Sequence, residues 1–266
     1  YVGKYVKKDI KKAIHYYTLA VDQNLPSAQT FFGVLYTEGK YVKQDITKGI
    51  QYLIKAAKQN ELNAQHNLGI IYYEGKLVPR NINKAIYYYT LSANQNDNNS
   101  QYTLGTIYYE GKFIKPDINK AIHYLTLAAD QNNSKAQYLL GEIYRENRFI
   151  AQDIIKSIHY YTLAAEQNDY NAQSILGNIF YLGIGVDRDI PKAINYYTLA
   201  AYQNEPVSLN NLGIIYSEGK DMKRDMNRAI HCFTLSASQN YPMALYHLGK
   251  IYYDGKSIEQ DIYKAI

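Results

Sequence analysis

Three features of the sequence predict an all-α fold, a solenoid built from 36-residue helix-turn-helix repeats. The first is a fixed period. An Asp, once replaced by Asn, falls at Asp9, Asp45, Asn81, Asp117, Asp153, Asp189, Asp225 and Asp261, with no insertion or deletion between copies. The second is what travels with it: an Ile follows in every copy except at Met226, and a Gly recurs in step at Gly33, Gly69, Gly105, Gly141, Gly177, Gly213 and Gly249. The third is the apolar spacing inside each copy, which is helical and broken by turn signals. Such a period marks an array of supersecondary units, none of which can bury its apolar face alone. Arrays of this kind offer a continuous binding surface.

The unit 26–61 shows the elements in order. Ala28, Phe32, Leu35 and Tyr36 lie at helical spacing and predict an amphipathic helix over Pro26–Thr37. Pro26, Pro206 and Pro242 take its first position, where the fixed φ of proline suits a helix start. Glu38-Gly39-Lys40 ends it, with Gly39 in the left-handed conformation that closes a last turn. The loop carries one apolar plug per copy: Val6, Val42, Val78, Ile114, Ile150, Val186, Met222 and Ile258. Asp45 then caps the second helix, a contact worth ~1 kcal/mol. Three residues on stands a basic residue in every copy (Lys12, Lys48, Lys84, Lys120, Lys156, Lys192, Arg228, Lys264), spaced for an ion pair with the cap. Ile50, Leu53 and Ala57, with Ala56 beside them, form the buried stripe. Gln59-Asn60, repeated from Gln23-Asn24 to Gln239-Asn240, stops the helix, because Asn tolerates the left-handed cap conformation. Small residues at Ala28, Gly33, Ala13, Ala85, Ala121, Ala193 and Ala229 predict close helix approach. The Tyr36 column (Tyr72, Tyr108, Tyr144, Phe180, Tyr216, Tyr252) is expected to fill the space between helices as core.

Composition narrows the function. The net charge of +5 is spread along the chain and forms no basic stripe, which argues against nucleic acid as the partner. No apolar run approaches the ~18 residues of a membrane span, and the start Tyr1-Val2-Gly3-Lys4 lacks a signal-peptide pattern. A cytoplasmic location with no membrane contact is the expectation. The single cysteine, Cys232, excludes an internal disulfide framework and a multi-Cys metal site. It stands where Tyr16, Tyr52, Tyr88, Tyr124, Tyr160 and Tyr196 stand, so it reads as a buried substitute. His15, His123, His159 and His231 share one column, but equivalent positions in stacked repeats are roughly 10 Å apart, too far for shared metal ligation at ~2.0–2.1 Å. No phosphate-binding Gly loop, nucleophile elbow or non-repeating carboxylate pair is present. The expectation is therefore no catalytic residue, no metal and no cofactor. The 31 tyrosines with no Trp fit either an aromatic binding surface or AT-rich coding.

Ala64-Gln65, Leu68-Gly69, Tyr72, Gly75, Asn81, Lys84-Ala85, Tyr88-Tyr89 and Ala93 together resemble the Sel-one-like repeat (SLR), a relative of the tetratricopeptide repeat. The segment Gly183-Ile184-Gly185-Val186-Asp187-Arg188-Asp189 is the nearest copy of that family's loop; the other loops lack the second Gly, and Asn147 replaces the first. Asn60 and its equivalents stand where the family usually has Gly. The resemblance spans the whole chain, 1–266. It implies a right-handed superhelix of helix pairs with first helices on the inner face, and a scaffold or adaptor that assembles proteins. In protists such arrays are often joined to kinase domains, so a non-catalytic arm of a larger enzyme is the alternative; an RNA-reading repeat is a third reading. The chain starts in the loop before one second helix and stops inside another. The array of about seven repeats is thus expected to be a piece of a longer array or multidomain protein.

Comparison of copies locates the candidate site. Positions Thr30, Val34 and Thr37 share one face of the first helix at i, i+4, i+7, and their equivalents vary from repeat to repeat. On the expected inner wall this places His66 and Tyr73, then Tyr102 and Tyr109, then Tyr138, Glu142 and Arg145, then Asn178 and Tyr181. Tyr and Arg are enriched at binding hot spots, and Tyr102, Tyr109, Tyr138, Arg145 and Tyr181 form the densest group. A peptide or helix of a partner protein is the expected ligand.

Overall fold

Each repeat folds as a pair of packed helices whose ends are fixed by capping residues. The computed structural model describes residues 9–146, 150–220 and 223–255. The expected features at Val6, Lys264, Asn147, Met222, Ile258, Asp261 and Ile262 lie outside the described residues. The chain divides into two compact units, Tyr1–Gln131 and Asn132–Ile266. The first holds α1 (Ile10–Asp22), α2 (Pro26–Glu38), α3 (Ile46–Lys58), α4 (Leu62–Glu74), α5 (Ile82–Ala93), α6 (Asn98–Glu110) and α7 (Ile118–Asp130). The second holds α8 (Ser134–Arg145), α9 (Ile154–Glu166), α10 (Tyr170–Leu182), α11 (Ile190–Tyr202), α12 (Pro206–Glu218), α13 (Met226–Ala237) and α14 (Pro242–Asp254). No strand occurs among the described residues. Even-numbered helices are first helices and odd-numbered ones second helices. Inside each unit a first helix packs most closely on the second helix of its own repeat, and that helix on the next first helix. This is an all-α solenoid.

Local chemistry sets the boundaries where the sequence marks them. Gly39 ends α2 at φ 69°, and its equivalents Gly75, Gly111, Gly183, Gly219 and Gly255 are also left-handed. Asn24, Asn60, Asn96, Asn132, Asn168, Asn204 and Asn240 all have φ between 59° and 64°, a conformation in which Asn is among the few tolerated residues with a Cβ. Asp45 caps α3 by accepting the Lys48 backbone N–H at 2.9 Å. Its own N–H donates to the Tyr36 carbonyl at 3.0 Å, tying the start of one helix to the end of the other.

The recurrent Gly makes room for a particular side chain. A Cβ at Gly33 would fall 2.5 Å from Leu53, and at Gly69, Gly141, Gly177 and Gly213 it would fall 2.5–2.6 Å from the rings of Tyr89, Tyr161, Tyr197 and Phe233. These partners are deeply buried core side chains, 3% exposed or less. Burying each contributes roughly 1.5–3 kcal/mol. A second, polar seam joins successive repeats. Gln59 donates to Gln29 Oε1 at 2.9 Å, Gln95 to Gln65 at 2.7 Å and Gln131 to Gln101 at 2.7 Å. In the other unit Gln167 donates to Gln137 at 2.6 Å and Gln203 to Gln173 at 3.0 Å. The acceptors are 1–3% exposed, so these bonds spare buried amides the penalty of an unmade hydrogen bond. Asn60 joins this seam: its Oδ1 accepts from Gln65 at 3.2 Å and from Gln95 at 3.1 Å. The Asn stop is therefore a conformational device and a hydrogen-bond acceptor at once.

Two expectations change on seeing the helices together. The basic column pairs with its cap at Lys120–Asp117, Lys156–Asp153 and Arg228–Asp225, each at 3.3 Å. Its wider contact is with a ring of the first helix. Lys48 lies 4.3 Å from the Tyr36 centroid, Lys84 4.9 Å from Tyr72, Lys156 5.1 Å from Tyr144 and Lys192 4.0 Å from Phe180. The Tyr36 column is also less buried than core: only Tyr72 and Phe180 are buried, and the others are half-exposed. Each of five rings stacks on the Tyr52-column ring of the same repeat, at 5.8–6.0 Å between centroids and 5–8° between planes.

Candidate functional site

The variable strip occupies the face of the first helices away from the ring stacks. None of its nine predicted residues is fully exposed or fully buried; all are half-buried. Small members of the same columns (Thr30, Thr37, Ser174, Asn210) are buried. The two units each carry part of the strip.

In the first unit the strip begins with His66 on α4. Its Nδ1 lies 2.8 Å from Asp97 Oδ2 and 2.9 Å from Ser100 Oγ. Asp97 is the N-cap of α6 and also accepts the Ser100 backbone N–H at 3.0 Å and the Ser92 hydroxyl at 3.1 Å. Burial alone would raise this carboxyl's pKa, but the bonds from His66 and Ser100 outweigh it and hold Asp97 well below the usual carboxylate range. The Thr30 hydroxyl makes the equivalent bond to Glu61, the cap of α4, at 2.8 Å. The first strip position thus grips the cap of the next first helix, a role the sequence reading did not assign to it. Tyr73 packs edge-on against Tyr89 and Phe113, with Arg80 over Phe113 at 4.4 Å. Tyr102 and Tyr109 follow one repeat later on α6, half-buried.

In the second unit Glu142, Arg145 and Tyr138 converge on the buried Tyr161. The Tyr161 hydroxyl donates to Glu142 Oε1, Arg145 Nη2 donates to Glu142 Oε2 at 2.8 Å, and Arg145 Nε donates to the Tyr161 oxygen at 3.1 Å. Tyr138 tilts against the same ring at 5.8 Å. Burial, then the Glu142 charge, pushes the Tyr138 phenol up to about 12. One repeat on, the Tyr197 hydroxyl donates to Asn178 Oδ1 at 2.8 Å, and Asn211 donates to the same oxygen at 3.2 Å. Beside these bonds lies a hollow of about 200 Å³ lined by Asn178, Tyr181, Leu182, Tyr197, Asn211 and Ile214. Leu182 at its edge is 63% exposed.

Four contributors here were not predicted: Tyr161, Tyr197, Asn211 and Leu182. A signal existed for two of them. The Leu53 column is Tyr at Tyr17, Tyr89, Tyr161 and Tyr197, and at the last two the strip residue 19 positions earlier is polar, Glu142 or Asn178. The other candidates fall elsewhere. His15, His123, His159 and His231 are exposed on the second helices. Cys232 is buried, and burial raises its thiol pKa. Among the described residues no group of three or more His, Cys, Asp or Glu side chains is placed to hold a metal ion. No helix there is long and apolar enough to cross a membrane.

Stacked helix pairs with a half-buried aromatic and polar strip along the first helices define an α-helical repeat protein of the tetratricopeptide-like kind. The chain belongs to the Sel1 repeat family, whose model matches residues 1–25, 26–61, 62–97, 98–133, 134–169, 171–205, 206–241 and 242–266. Sel1 repeats are, as a family, scaffolds for protein–protein interaction. The fold is similar to a protective antigen of uropathogenic Escherichia coli that displays an SLR fold, with a TM-score of 0.86 and 26% identity over 95% of this chain. The chain spans 54% of the length of that protein. It is also similar to a Sel1 repeat protein from Oxalobacter formigenes, with a TM-score of 0.79 and 30% identity over 98% of this chain and 76% of the other. No curated protein matches it.

Proposed function

We propose that the chain is a protein-binding scaffold whose first-helix face takes an extended peptide or a helix of a partner protein. The contacts are His66, Tyr73, Tyr102 and Tyr109 in the first unit, and Tyr138, Glu142, Arg145, Asn178 and Tyr181 in the second. The observation that carries this reading is the hollow beside Tyr181. The Asn178 oxygen and the Tyr197 hydroxyl at its floor are already paired by internal hydrogen bonds, so an apolar side chain entering it need not break them. Tyr181 and Leu182 give that side chain apolar walls, the arrangement in which binding hot spots occur. The networks around Glu142 and Asn178 hold the strip rigid before a partner arrives, which lowers the ordering cost of binding.

Affinity capture from the source cell, read by mass spectrometry, tests this. The native chain is compared with Tyr181→Ser/Leu182→Ser and with His159→Ser on the second-helix face. Partners retained by the native chain and by His159→Ser, and lost by the double variant, are the expected result. Equal recovery with all three moves binding off this face.

A further inference from the structure

The repeat 206–241 departs from its predecessors in several columns, and two of the departures line one cavity. The ring that stacks on the first helix elsewhere (Tyr52, Tyr88, Tyr124, Tyr160, Tyr196) is Cys232 here, and the clamp glutamine (Gln29, Gln65, Gln101, Gln137, Gln173) is Leu209. Between α11 and α13, over α12, these two residues line a cavity of about 540 Å³. Its floor is Leu209, Leu212, Cys232 and Tyr216, and Tyr202 at its edge is 82% exposed. The equivalent crevice between α1 and α3 is different in kind. There Tyr52 and Gln29 are in place, Lys55 and Lys58 line it, and its volume is about 440 Å³. A crevice between successive second helices thus occurs at both places, and here it is apolar and lacks its ring.

The missing group says what fits. In five repeats the partner of the first-helix ring is a phenol stacked nearly parallel at 5.8–6.0 Å. Tyr216 lines the cavity and offers its ring for such a stack, a geometry that aromatic pairs prefer. The volume lies within the ~300–1,000 Å³ of small-molecule pockets. Of the residues that line it, Arg228 alone carries a fixed charge, and none is acidic. The Arg228 guanidinium lies 5.7 Å from the Tyr216 ring centroid, with its Nε paired to Asp225 at 3.3 Å. A guanidinium beside a ring matches a planar carboxylate attached to a stacked ring. We propose that this cavity binds a small aromatic carboxylic acid, its ring on Tyr216 in the place of the missing phenol and its carboxylate at Arg228.

The probe is 3-phenylpropionate, titrated into the full chain and followed by NMR and calorimetry. Saturable binding is expected, at least tenfold weaker in Cys232→Tyr, which restores the ring of the other repeats, and severalfold weaker for the neutral 3-phenylpropan-1-ol. Because Cys232 is the only cysteine, a thiol reagent reports on this site alone, and bound probe should slow its reaction. The thiol measurement decides in the native chain should Cys232→Tyr fail to fold. No saturable binding up to millimolar probe, equal affinity in Cys232→Tyr, or unchanged thiol reactivity at saturation overturns the proposal. Equal affinity for the alcohol overturns the role of Arg228.

Discussion

A single added methyl group shows how little slack the helix contacts have. At Gly177 a Cβ would sit 2.5 Å from Cδ1 of Tyr197, a ring that is fully buried and held by its bond to Asn178. Gly177→Ala should therefore cost about 1–3 kcal/mol of stability, read as a fall of several degrees in the melting temperature. A melting temperature within a degree of native would mean that the ring moves freely. At this scale the sequence was informative about which positions are special but not about why. The Gly column stood out by recurrence, while its contact with Tyr197 is made across two helices, 20 positions away along the chain, and only the fold brings the two together. Asn60 was legible as a helix stop from its backbone preference; its service as an acceptor for Gln65 and Gln95 was not, because those partners come from neighbouring turns and repeats.

At the scale of the helix, the caps of the second helices are local and were read from the sequence, whereas the caps of the first helices, Glu61 and Asp97 among them, were not. The Asn81 side chain accepts the Lys84 N–H at 3.0 Å, so Asn81→Ala should cost ~1 kcal/mol, measured by chemical denaturation. The basic column was read only in part, as an ion-pair partner of the cap. The i,i+3 spacing reveals the neighbour on the same helix, whereas the ring beneath each cation belongs to the preceding helix. Asp97 gives a helix cap a pH signature. Its folded pKa lies below the ordinary Asp value of about 4, so the native state favours its charged form. The resulting stability is complete above that value and drains as pH falls from there towards the folded pKa. Asp97→Asn keeps a capping side chain and removes this titration. Melting curves between pH 6 and pH 2 should show a shallower acid decline for the variant; parallel curves would show that Asp97 does not contribute to the decline.

Over the whole chain the repeats share the frame that folds them and differ along the strip of the first helices. The frame was legible because every copy restates it: caps, Gly column, apolar stripe and Asn stop recur at one period. The strip was legible as the set of positions the frame leaves free to vary. What the sequence did not disclose is that these side chains are half-buried and partly spoken for, with His66 gripping the cap of α6 and Glu142 and Arg145 gripping Tyr161. The proposed binding role of the strip therefore concentrates on Tyr181 and the hollow beside it, where an apolar opening remains. The most direct measurement places a photo-crosslinking amino acid at position 181, or at position 159 on the second-helix face, in the protein expressed in its source cell. The account predicts that irradiation couples a partner protein to position 181 and leaves position 159 uncoupled. Adducts formed at 159 and not at 181 would contradict it.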